Sequence, residues 1–471
     1  MRLIVKLLPV LFISLSITTY AQVQIGSDLV GETVNDYFGK QVKISNDGNI
    51  LGVISAGSNG NVHVYQNVGD NWVLYGTDSE GNHFDGLDAS GINFSNNGNT
   101  LAIGGEEKAW VYTYESGIWT LKGSEILNNT SDLSFGKGVC LSEDGNIIAV
   151  STPTYVPPSM RRGNIPPPNY HGMVQVFKFE SGSWNQIGDD IIANAFDRSA
   201  ESFSLSADGN IVAIANYFSI RVYENISGDW TMKGSEIIGI DNYSKSVSLS
   251  SDGTTLAFGD PSYSKRGQVR IYKFISNNWV QVGGDILGIS NWDFAGNSVS
   301  ISSDGNVVAI SFTGDDTNGD DSGQVKIYSY ISGSWTQIGS SLNGEASLDR
   351  FGYSLNLSSD ATALAVGTPY NDSSGDDYGK VEVYELSSLL SSDDKLDLSD
   401  FRLFPNPAKN EFTIQIKEGL ELQRVNIYNS LGQLLYIFNK NTINISEFSR
   451  GIYYAEIITD RGKSTRKLVA N

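Results

Sequence analysis

Residues 302–310 read Ser-Ser-Asp-Gly-Asn-Val-Val-Ala-Ile, a tight turn followed by an apolar run, and variants of this stretch recur along the chain. The Asp-Gly pair provides the positive backbone φ that a short hairpin requires. The run after the turn is apolar throughout, which is typical of a strand packed on both faces. The turn returns every 44 to 64 residues, at Asp47-Gly48, Asn97-Gly98, Asp144-Gly145, Asp208-Gly209, Asp252-Gly253, Asp304-Gly305 and, in degenerate form, Asp360-Ala361.

Each repeat carries four candidate strands. One strand precedes the turn and the apolar strand follows it. A variable loop then leads to a Gly-x-Val-x-x-Tyr strand, and a Trp-x-x-x-Gly strand ends the unit. Four strands in a unit of this length are typical of a β-propeller blade. The repeats therefore predict an all-β, seven-bladed β-propeller over residues 22–386.

The seventh repeat is split between the two ends of the chain. It stops at residues 381–384 without a Trp-containing fourth strand, while residues 24–29, Gln-Ile-Gly-Ser-Asp-Leu, echo residues 186–191, Gln-Ile-Gly-Asp-Asp-Ile, of the third repeat. We expect the N-terminal strand to complete the last blade, which closes the ring and removes exposed sheet edges. An open solenoid is the alternative, and it would not require a split unit.

The first 21 residues predict a signal peptide. Arg2 and Lys6 form a basic start, residues 7–17 are apolar, and Ala21 ends a small-residue cleavage site. A buried N-terminal strand is the alternative interpretation. The apolar run is too short to span a bilayer, so we expect no transmembrane segment in the mature chain.

Residues 22–400 are strongly acidic. The chain has a formal charge of −21; residues 401–471 contain 10 basic and 6 acidic residues and the first 21 contain two basic ones, which leaves −27 for residues 22–400. A field of this sign repels phosphate backbones and anionic lipids, so nucleic acid is excluded as an expected partner and cations are favoured. The single cysteine, Cys140, can form no intrachain disulfide and is expected in the core.

The repeats resemble the FG-GAP repeats of integrin α-subunit propellers. Residues 351–354, Phe-Gly-Tyr-Ser, are followed by Leu-Ala-Val-Gly-Thr-Pro at 364–369 and Gly-Lys-Val-Glu-Val-Tyr at 379–384, in the order of that family. Phe38-Gly39 and Phe135-Gly136 keep the first motif, and the other units depart from it. The family's calcium cage lies in the first hairpin, but Ser-x-Asp-Gly offers a single carboxylate there, so the resemblance carries no calcium to these turns.

The C-terminal part has a different character. Residues 387–400 have the composition of a linker, and residues 401–471 alternate apolar and polar positions as a small Ig-like β-sandwich does. This segment contains Leu-Phe-Pro-Asn-Pro at 403–407, Asn-Ser-Leu-Gly-Gln at 429–433, Gly-Ile-Tyr-Tyr at 451–454 and Lys-Leu-Val at 467–469. These motifs, in this order, resemble the type A sorting domain of the type IX secretion system of Bacteroidota. A carbohydrate-binding sandwich is the alternative.

That resemblance implies an export route. Residues 401–471 would engage the type IX machinery, and the mature protein would be extracellular or on the outer surface of a Gram-negative bacterium after signal-peptide cleavage. The remaining propeller would then be the working part of the protein.

Two loops of the sixth and seventh repeats are candidate calcium sites. Carboxylates at short spacing with intervening glycines can wrap Ca²⁺, although neither loop has the distal Glu of an EF-hand. The candidate ligands are Asp315, Asp316, Asp320, Asp321, Asp372, Asp376 and Asp377. Solvated turn residues are the alternative interpretation.

The third repeat has a long, Pro-rich loop at residues 152–172. It contains Arg161, Arg162 and His171, which are the candidate ligand-binding residues of the variable face. A semi-rigid flap that touches a partner and a tolerated surface insertion are both compatible with this composition.

Catalysis has little support in the sequence. The three histidines, His63, His83 and His171, lie in unrelated contexts, and carboxylates are too abundant to be diagnostic. We therefore expect a binding or adhesion module for an extracellular protein or glycan, not an enzyme. A secreted polysaccharide-degrading enzyme and a structural surface-layer component are the alternatives.

Overall fold

The computed structural model describes residues 22–57, 60–78, 84–128, 132, 134–157, 170–194, 200–238, 246–390, 401–416, 422–429, 434–446, 448–459 and 462–470. The chain divides into two compact units, one up to Leu386 and one from Ser387 onward. The described residues are strands and their connections, apart from a 3₁₀ turn (Tyr263–Lys265) and helix α1 (Ser387–Leu390). The protein is therefore all-β, as predicted.

Unit 1 begins with two short strands and two sheets. The N-terminal strands are β1 (Val23–Gln24) and β2 (Leu29–Val30). Sheet 1 comprises β3 (Phe38–Ile44), β4 (Ile50–Ser55), β5 (Asn61–Asn67) and β6 (Trp72–Leu74). Sheet 2 comprises β7 (Thr77–Asp78), β8 (Gly91–Phe94), β9 (Thr100–Gly105), β10 (Lys108–Glu115), β11 (Ile118–Leu121) and β12 (Ile126–Leu127), with β7 parallel to β11.

Three sheets of five strands follow, each with a short last strand that pairs with its third. Sheet 3 comprises β13 (Val139–Leu141), β14 (Ile147–Thr152), β15 (Met173–Glu180), β16 (Ser183–Gln186) and β17 (Ile191–Ile192). Sheet 4 comprises β18 (Phe203–Leu205), β19 (Ile211–Ala215), β20 (Ser219–Ile226), β21 (Asp229–Met232) and β22 (Ile237–Ile238). Sheet 5 comprises β23 (Ser246–Leu249), β24 (Thr255–Asp260), β25 (Gln268–Ile275), β26 (Asn278–Gln281) and β27 (Ile286–Leu287).

The last sheet of unit 1 contains both ends of the unit. Sheet 6 comprises β28 (Ala295–Ile301), β29 (Val307–Phe312), β30 (Gln324–Ile331) and β31 (Ser334–Asn343). Sheet 7 comprises β32 (Ser354–Leu357), β33 (Ala363–Thr368) and β34 (Lys380–Glu385), and β1 and β2 pair antiparallel with β34. The N-terminal segment thus supplies the strand that the seventh repeat lacks.

The core of unit 1 lies between successive sheets. The second strand of each sheet, as in Val307–Phe312, is buried along its whole length. Hydrophobic clusters in the described residues each join two successive sheets, and one of them joins sheet 7 to sheet 1 through Val381, Val383 and Phe38. The uniformly apolar runs in the repeats are explained by this packing on both faces.

The first strands of the sheets follow one another in a cycle. Each of β3, β8, β13, β18, β23, β28 and β32 contacts the next, and β32 contacts β3. These strands are sheet edges, and their N–H groups are bound by side chains of the preceding sheet. Ser248 Oγ accepts from Ile301 N–H at 3.1 Å, and Asn356 Oδ1 of sheet 7 accepts from Ile44 N–H of sheet 1 at 2.9 Å. These side chains thereby bind edge N–H groups that would otherwise be free to pair with another strand.

The fourth strands are linked by the repeated tryptophans. Each indole Nε1–H donates to a carbonyl of the preceding sheet at 2.8–3.1 Å, from Trp72, Trp119, Trp184, Trp230, Trp279 and Trp335. The acceptor for Trp72 is Ile25 O, in the N-terminal segment. Gln22 takes the tryptophan position of the split repeat, and its side chain exchanges hydrogen bonds with Ser340 of sheet 6.

Unit 2 has two sheets around a core of its own. The first contains β35 (Phe401–Phe404), β36 (Glu411–Ile416) and β39 (Thr442–Asn444). The second contains β37 (Leu422–Tyr428), β38 (Leu434–Phe438), β40 (Gly451–Thr459) and β41 (Gly462–Ala470). Side chains of both sheets form one cluster that includes Phe412, Val425 and Leu468. The Asn406 side chain donates a hydrogen bond to Lys467 O and accepts one from Val469 N–H, which joins the Pro-Asn-Pro motif to the last strand.

Candidate functional site

One face of unit 1 is formed by the repeated Ser-x-Asp turns. In the fourth repeat, Ser206 Oγ donates to Asp208 Oδ1 at 2.6 Å and accepts from Ile211 N–H at 2.9 Å. Burial alone would raise the pKa of Asp208, but the hydrogen bonds from Ser206 and Asn210 hold it below its ordinary value. The same bonds occur in the other repeats, so these turns are structural.

The middle residues of these turns form a belt of backbone hydrogen bonds. Successive N–H and C=O groups pair at 2.8–3.1 Å through Asn46, Asn96, Glu143, Ala207, Ser251, Ser303 and Ser359. The Glu143 carboxylate accepts from the side chains of Asn46, Asn96 and Ser251, the last in a different part of the belt. The belt and this carboxylate narrow the centre of unit 1 on the turn face.

A cavity of about 170 Å³, here called the central channel, continues from the belt between the first strands. It is lined at the same position of each repeat by Lys43, Asn93, Cys140, Ser204, Ser248, Ser300 and Asn356. Burial raises the pKa of the Cys140 thiol, although the positive charge of Lys43 acts in the opposite direction. Cys140 therefore lines the channel as a protonated thiol and is not an activated nucleophile.

A larger cavity, here called the funnel, opens on the opposite face. It measures about 860 Å³ and is lined by the second-to-third strand loops and by the connections between sheets. Its charged and hydroxyl-bearing lining residues are Asp88, Ser90, Glu106, Ser134, Lys137, Thr154, Glu201 and Tyr353. The funnel thus offers carboxylate acceptors, an ammonium donor and hydroxyls within a volume typical of small-molecule sites.

An aromatic and cationic cluster adjoins the funnel where sheet 7 meets sheet 1. Lys40 Nζ donates to the hydroxyls of Tyr353 and Tyr370 at 3.0 and 3.3 Å, and it lies 4.3 Å from the Tyr353 ring centroid. The Tyr37 ring and the Arg350 guanidinium also pack against the Tyr370 ring. Burial acts to lower the pKa of Lys40, but the tyrosine hydroxyls raise it above its ordinary value, so the ammonium keeps its charge.

Sequence reasoning missed these funnel residues, although a signal was present. Ser90, Lys137, Glu201 and Tyr353 occupy the same position of their repeats, one residue after the Phe-Gly pair or its equivalent. Lys40 takes this position in the first repeat. A variable residue directly after a fixed pair could have been recognised by aligning the repeats with one another.

The two acidic loops share one conformation. Asp316 Oδ1 accepts from Asp321 N–H at 2.9 Å, and Asp372 Oδ1 accepts from Asp377 N–H at 2.7 Å. The carbonyls of Asp321 and Asp377 in turn accept from backbone N–H groups at the entry to the next sheet. These carboxylates and carbonyls therefore help to fix the connections between sheets.

The structure does not gather the predicted calcium ligands into a cluster of three carboxylates within the described ranges. The group found there is Asp28, Glu345 and Glu382, whose oxygens lie within 4.8 Å of one another. Lys380, 2% exposed, lies 3.0–3.5 Å from all three. Although burial acts to lower the pKa of Lys380, the carboxylates raise it above its ordinary value. Lys380 therefore compensates part of the negative charge of this group, and calcium at the aspartates of the two loops stays a prediction.

The structure describes one of the three candidate residues of the third repeat, His171. Arg161 and Arg162 lie outside the described residues. His171 is 5% exposed, and its Nδ1 lies 2.8 Å from Ala193 O, so its ring is part of the packed interior. His63 Nε2 contacts Ser55 Oγ at 3.0 Å, but Ser55 is 1% exposed, which keeps this hydroxyl from a substrate. His83 also lies outside the described residues.

Comparison with known families explains unit 2. Residues 402–471 match the family described as the secretion system C-terminal sorting domain. This confirms the predicted type IX sorting domain, and the protein is therefore exported to the cell surface or the extracellular space. Within the described residues, no helix has the length and apolar character needed to cross a membrane.

Other similarities cover a smaller or more distant part of known proteins. The endo-acting ulvan lyase of Formosa agariphila is 35% identical over 101 residues, which is 20% of this chain and 19% of the lyase. The chain thus spans about a fifth of the length of that relative. The β-propeller domain of Cps50 (Swd1) from Myceliophteria thermophila is 10% identical, with a TM-score of 0.50 over 79% of this chain and 99% of that domain. This likeness supports a β-propeller-like fold. Hydrazine synthase of Kuenenia stuttgartiensis aligns with a TM-score of 0.48 and 12% identity over 72% of this chain and 94% of its own.

Proposed function

We propose that this exported protein is a glycan-binding module whose ligand sits in the funnel. The observation that carries the proposal is the funnel itself, with its carboxylates, ammonium and hydroxyls on the face opposite the uniform turns. Sugar hydroxyls both donate and accept hydrogen bonds, and this mixture of groups satisfies both roles. Variation among the loops of otherwise regular repeats agrees with recognition on this face.

The finer architecture belongs to the same proposal. We propose that the seven sheets are blades of a closed propeller with FG-GAP-like repeats, sealed by β1 and β2. The cyclic contacts of the first strands and the hydrogen bond from Trp72 to Ile25 support this closure. We also propose that the two sheets of unit 2 form an Ig-like sandwich, which their shared core supports.

The test is binding of the exported chain to a glycan array, with a charge reversal on each face. Glu106→Lys changes the exposed wall of the funnel, whereas Glu115→Lys changes an exposed residue at a hairpin of the turn face. We expect Glu106→Lys to lose the glycan signal and Glu115→Lys to retain it. Equal binding by both variants would place the ligand elsewhere, and binding only to proteins in a matched pull-down would replace the glycan by a protein ligand.

A polysaccharide-degrading enzyme is the second candidate, favoured by the similarity to the ulvan lyase. In this case Tyr353, held by Lys40 at the edge of the funnel, is the group best placed to exchange a proton with a bound sugar. Incubation of the exported chain with polysaccharides would then release oligosaccharides. Loss of that release in Tyr353→Phe, with glycan binding retained, would favour the enzyme over the binding module.

A further inference from the structure

The central channel is lined by hydrogen-bond donors. Its serines accept from backbone N–H groups of the next sheet at 3.0–3.1 Å, at Ser204, Ser248 and Ser300. Asn93 Oδ1 accepts from Leu141 N–H at 3.1 Å. A hydroxyl or amide that has used its oxygen in this way still has a proton to donate. In the described part of the chain, the protons of these four residues have no acceptor.

Lys43 adds a positive charge at the same level of the channel. An ammonium has no acceptor atom, so Lys43 takes no part in the hydrogen bonding between sheets that its equivalents perform. Within the described ranges no carboxylate lies within ion-pair distance of it. Lys43 therefore brings to the channel a positive charge that no described carboxylate pairs.

We propose that the central channel binds a small inorganic anion, a halide or a tetrahedral oxyanion. The ammonium of Lys43, the amide of Asn93 and the hydroxyls of Ser204, Ser248 and Ser300 hold it. The volume of about 170 Å³ equals that of several water molecules at roughly 30 Å³ each, which leaves room for such an ion.

The ion lies at the level of Lys43 and not at the belt. The Glu143 carboxylate lines the same cavity at the belt and repels an anion there, whereas Lys43 and the donor side chains lie two residues before the turn serines, farther along the first strands. The acidic outer surface opposes an anion only weakly, since exposed charges farther away than the Debye length of about 8 Å are largely screened at physiological ionic strength.

The experiment is calorimetric titration of the exported chain, residues 22–471, with sodium chloride, sulfate and phosphate. We expect saturable binding of at least one anion. Lys43→Met should weaken it by at least about tenfold, the factor expected from losing one charge-assisted hydrogen bond. Lys178→Met is the matched control, because Lys178 pairs with Glu180 on the outer part of sheet 3 and should leave the affinity unchanged.

A second variant tests the donors without disturbing the fold. Asn93→Asp keeps the oxygen that accepts from Leu141 N–H but replaces the inward amide donor by a carboxylate, so anion binding should disappear. High sulfate stabilises any protein by exclusion from its surface, without saturation. If no titration with chloride, sulfate or phosphate shows saturable heat, or if Lys43→Met and Lys178→Met bind the anion equally, the channel holds water and the proposal is wrong.

Discussion

The hydrogen bond from Trp72 to Ile25 allows the proposed closure of unit 1 to be tested. Trp72→Phe removes the indole donor, and a chain that starts at Asp36 removes the acceptor. Trp184→Phe removes the same bond at another junction, where Lys122 O is the acceptor at 2.8 Å. Both indoles are half-buried, so the two substitutions are matched.

The expected magnitudes follow from these contacts. One hydrogen bond contributes about 1 kcal/mol net, and the smaller ring loses roughly another 0.5–1 kcal/mol of apolar burial. Trp72→Phe should therefore cost about 1.5–2 kcal/mol in the full chain. In the chain that starts at Asp36 the same change should cost about 1 kcal/mol less, since the acceptor is already gone. Trp184→Phe should cost the same in both chains.

The assay is differential scanning calorimetry, with the transition of unit 2 as an internal reference because it has its own core. The shorter chain should also melt earlier and over a broader range than the full one, because β34 becomes an exposed edge. The closure argument is refuted if the shorter chain melts unchanged, or if Trp72→Phe costs the same in both chains.

Three further outcomes are expected. Asp208→Asn reproduces Asn97 of the second repeat and should lower the free energy of unfolding by about 0.5–1 kcal/mol at pH 7. The folded pKa of Asp208 lies below 3.8, so in thermal melts this difference should vanish as the pH falls through the folded pKa. Lys380→Met leaves three carboxylates without their cation and should lower the free energy of unfolding, measured in urea at pH 7, by about 2–3 kcal/mol. Because the folded pKa of Lys380 is raised, its contribution to stability in the native chain should persist up to pH 10.5 and be lost at higher pH. Asn406→Ala removes both hydrogen bonds to the last strand of unit 2 and should lower the amount of exported protein on a blot of the culture medium. An unchanged amount would contradict a structural role for the Pro-Asn-Pro motif.

The parts of the fold that the sequence predicted depend on local signals. The turn at Asp208-Gly209 needs a serine two residues before it and a positive φ at the glycine, and both are visible in the residue types. The length of the repeat predicted four strands for each sheet. The similarity of residues 24–29 to residues 186–191 predicted that the N-terminal segment pairs with β34.

The candidate site depends on contacts between repeats, which no single repeat encodes. The bond between Lys40 and Tyr353 joins positions 313 residues apart in sequence. The acidic loops at 314–323 and 370–379 are predicted as calcium sites from their composition, and in the structure Asp316 and Asp372 bind the backbone of their own loops. Charge density alone does not distinguish a metal ligand from a residue that shapes a loop.

The two faces of unit 1 differ because they meet different structural demands. On the turn face each middle residue must reach the next one to complete the belt, so Ser206 and Asp208 and their equivalents must keep one geometry in every repeat. On the loop face the residue after the Phe-Gly pair takes no part in the belt, and it varies from Lys137 to Glu201 to Tyr353. At the proposed funnel site a substitution can therefore change ligand contacts without breaking the belt, whereas a ligand on the turn face would compete with the hydrogen bonds that hold the sheets together.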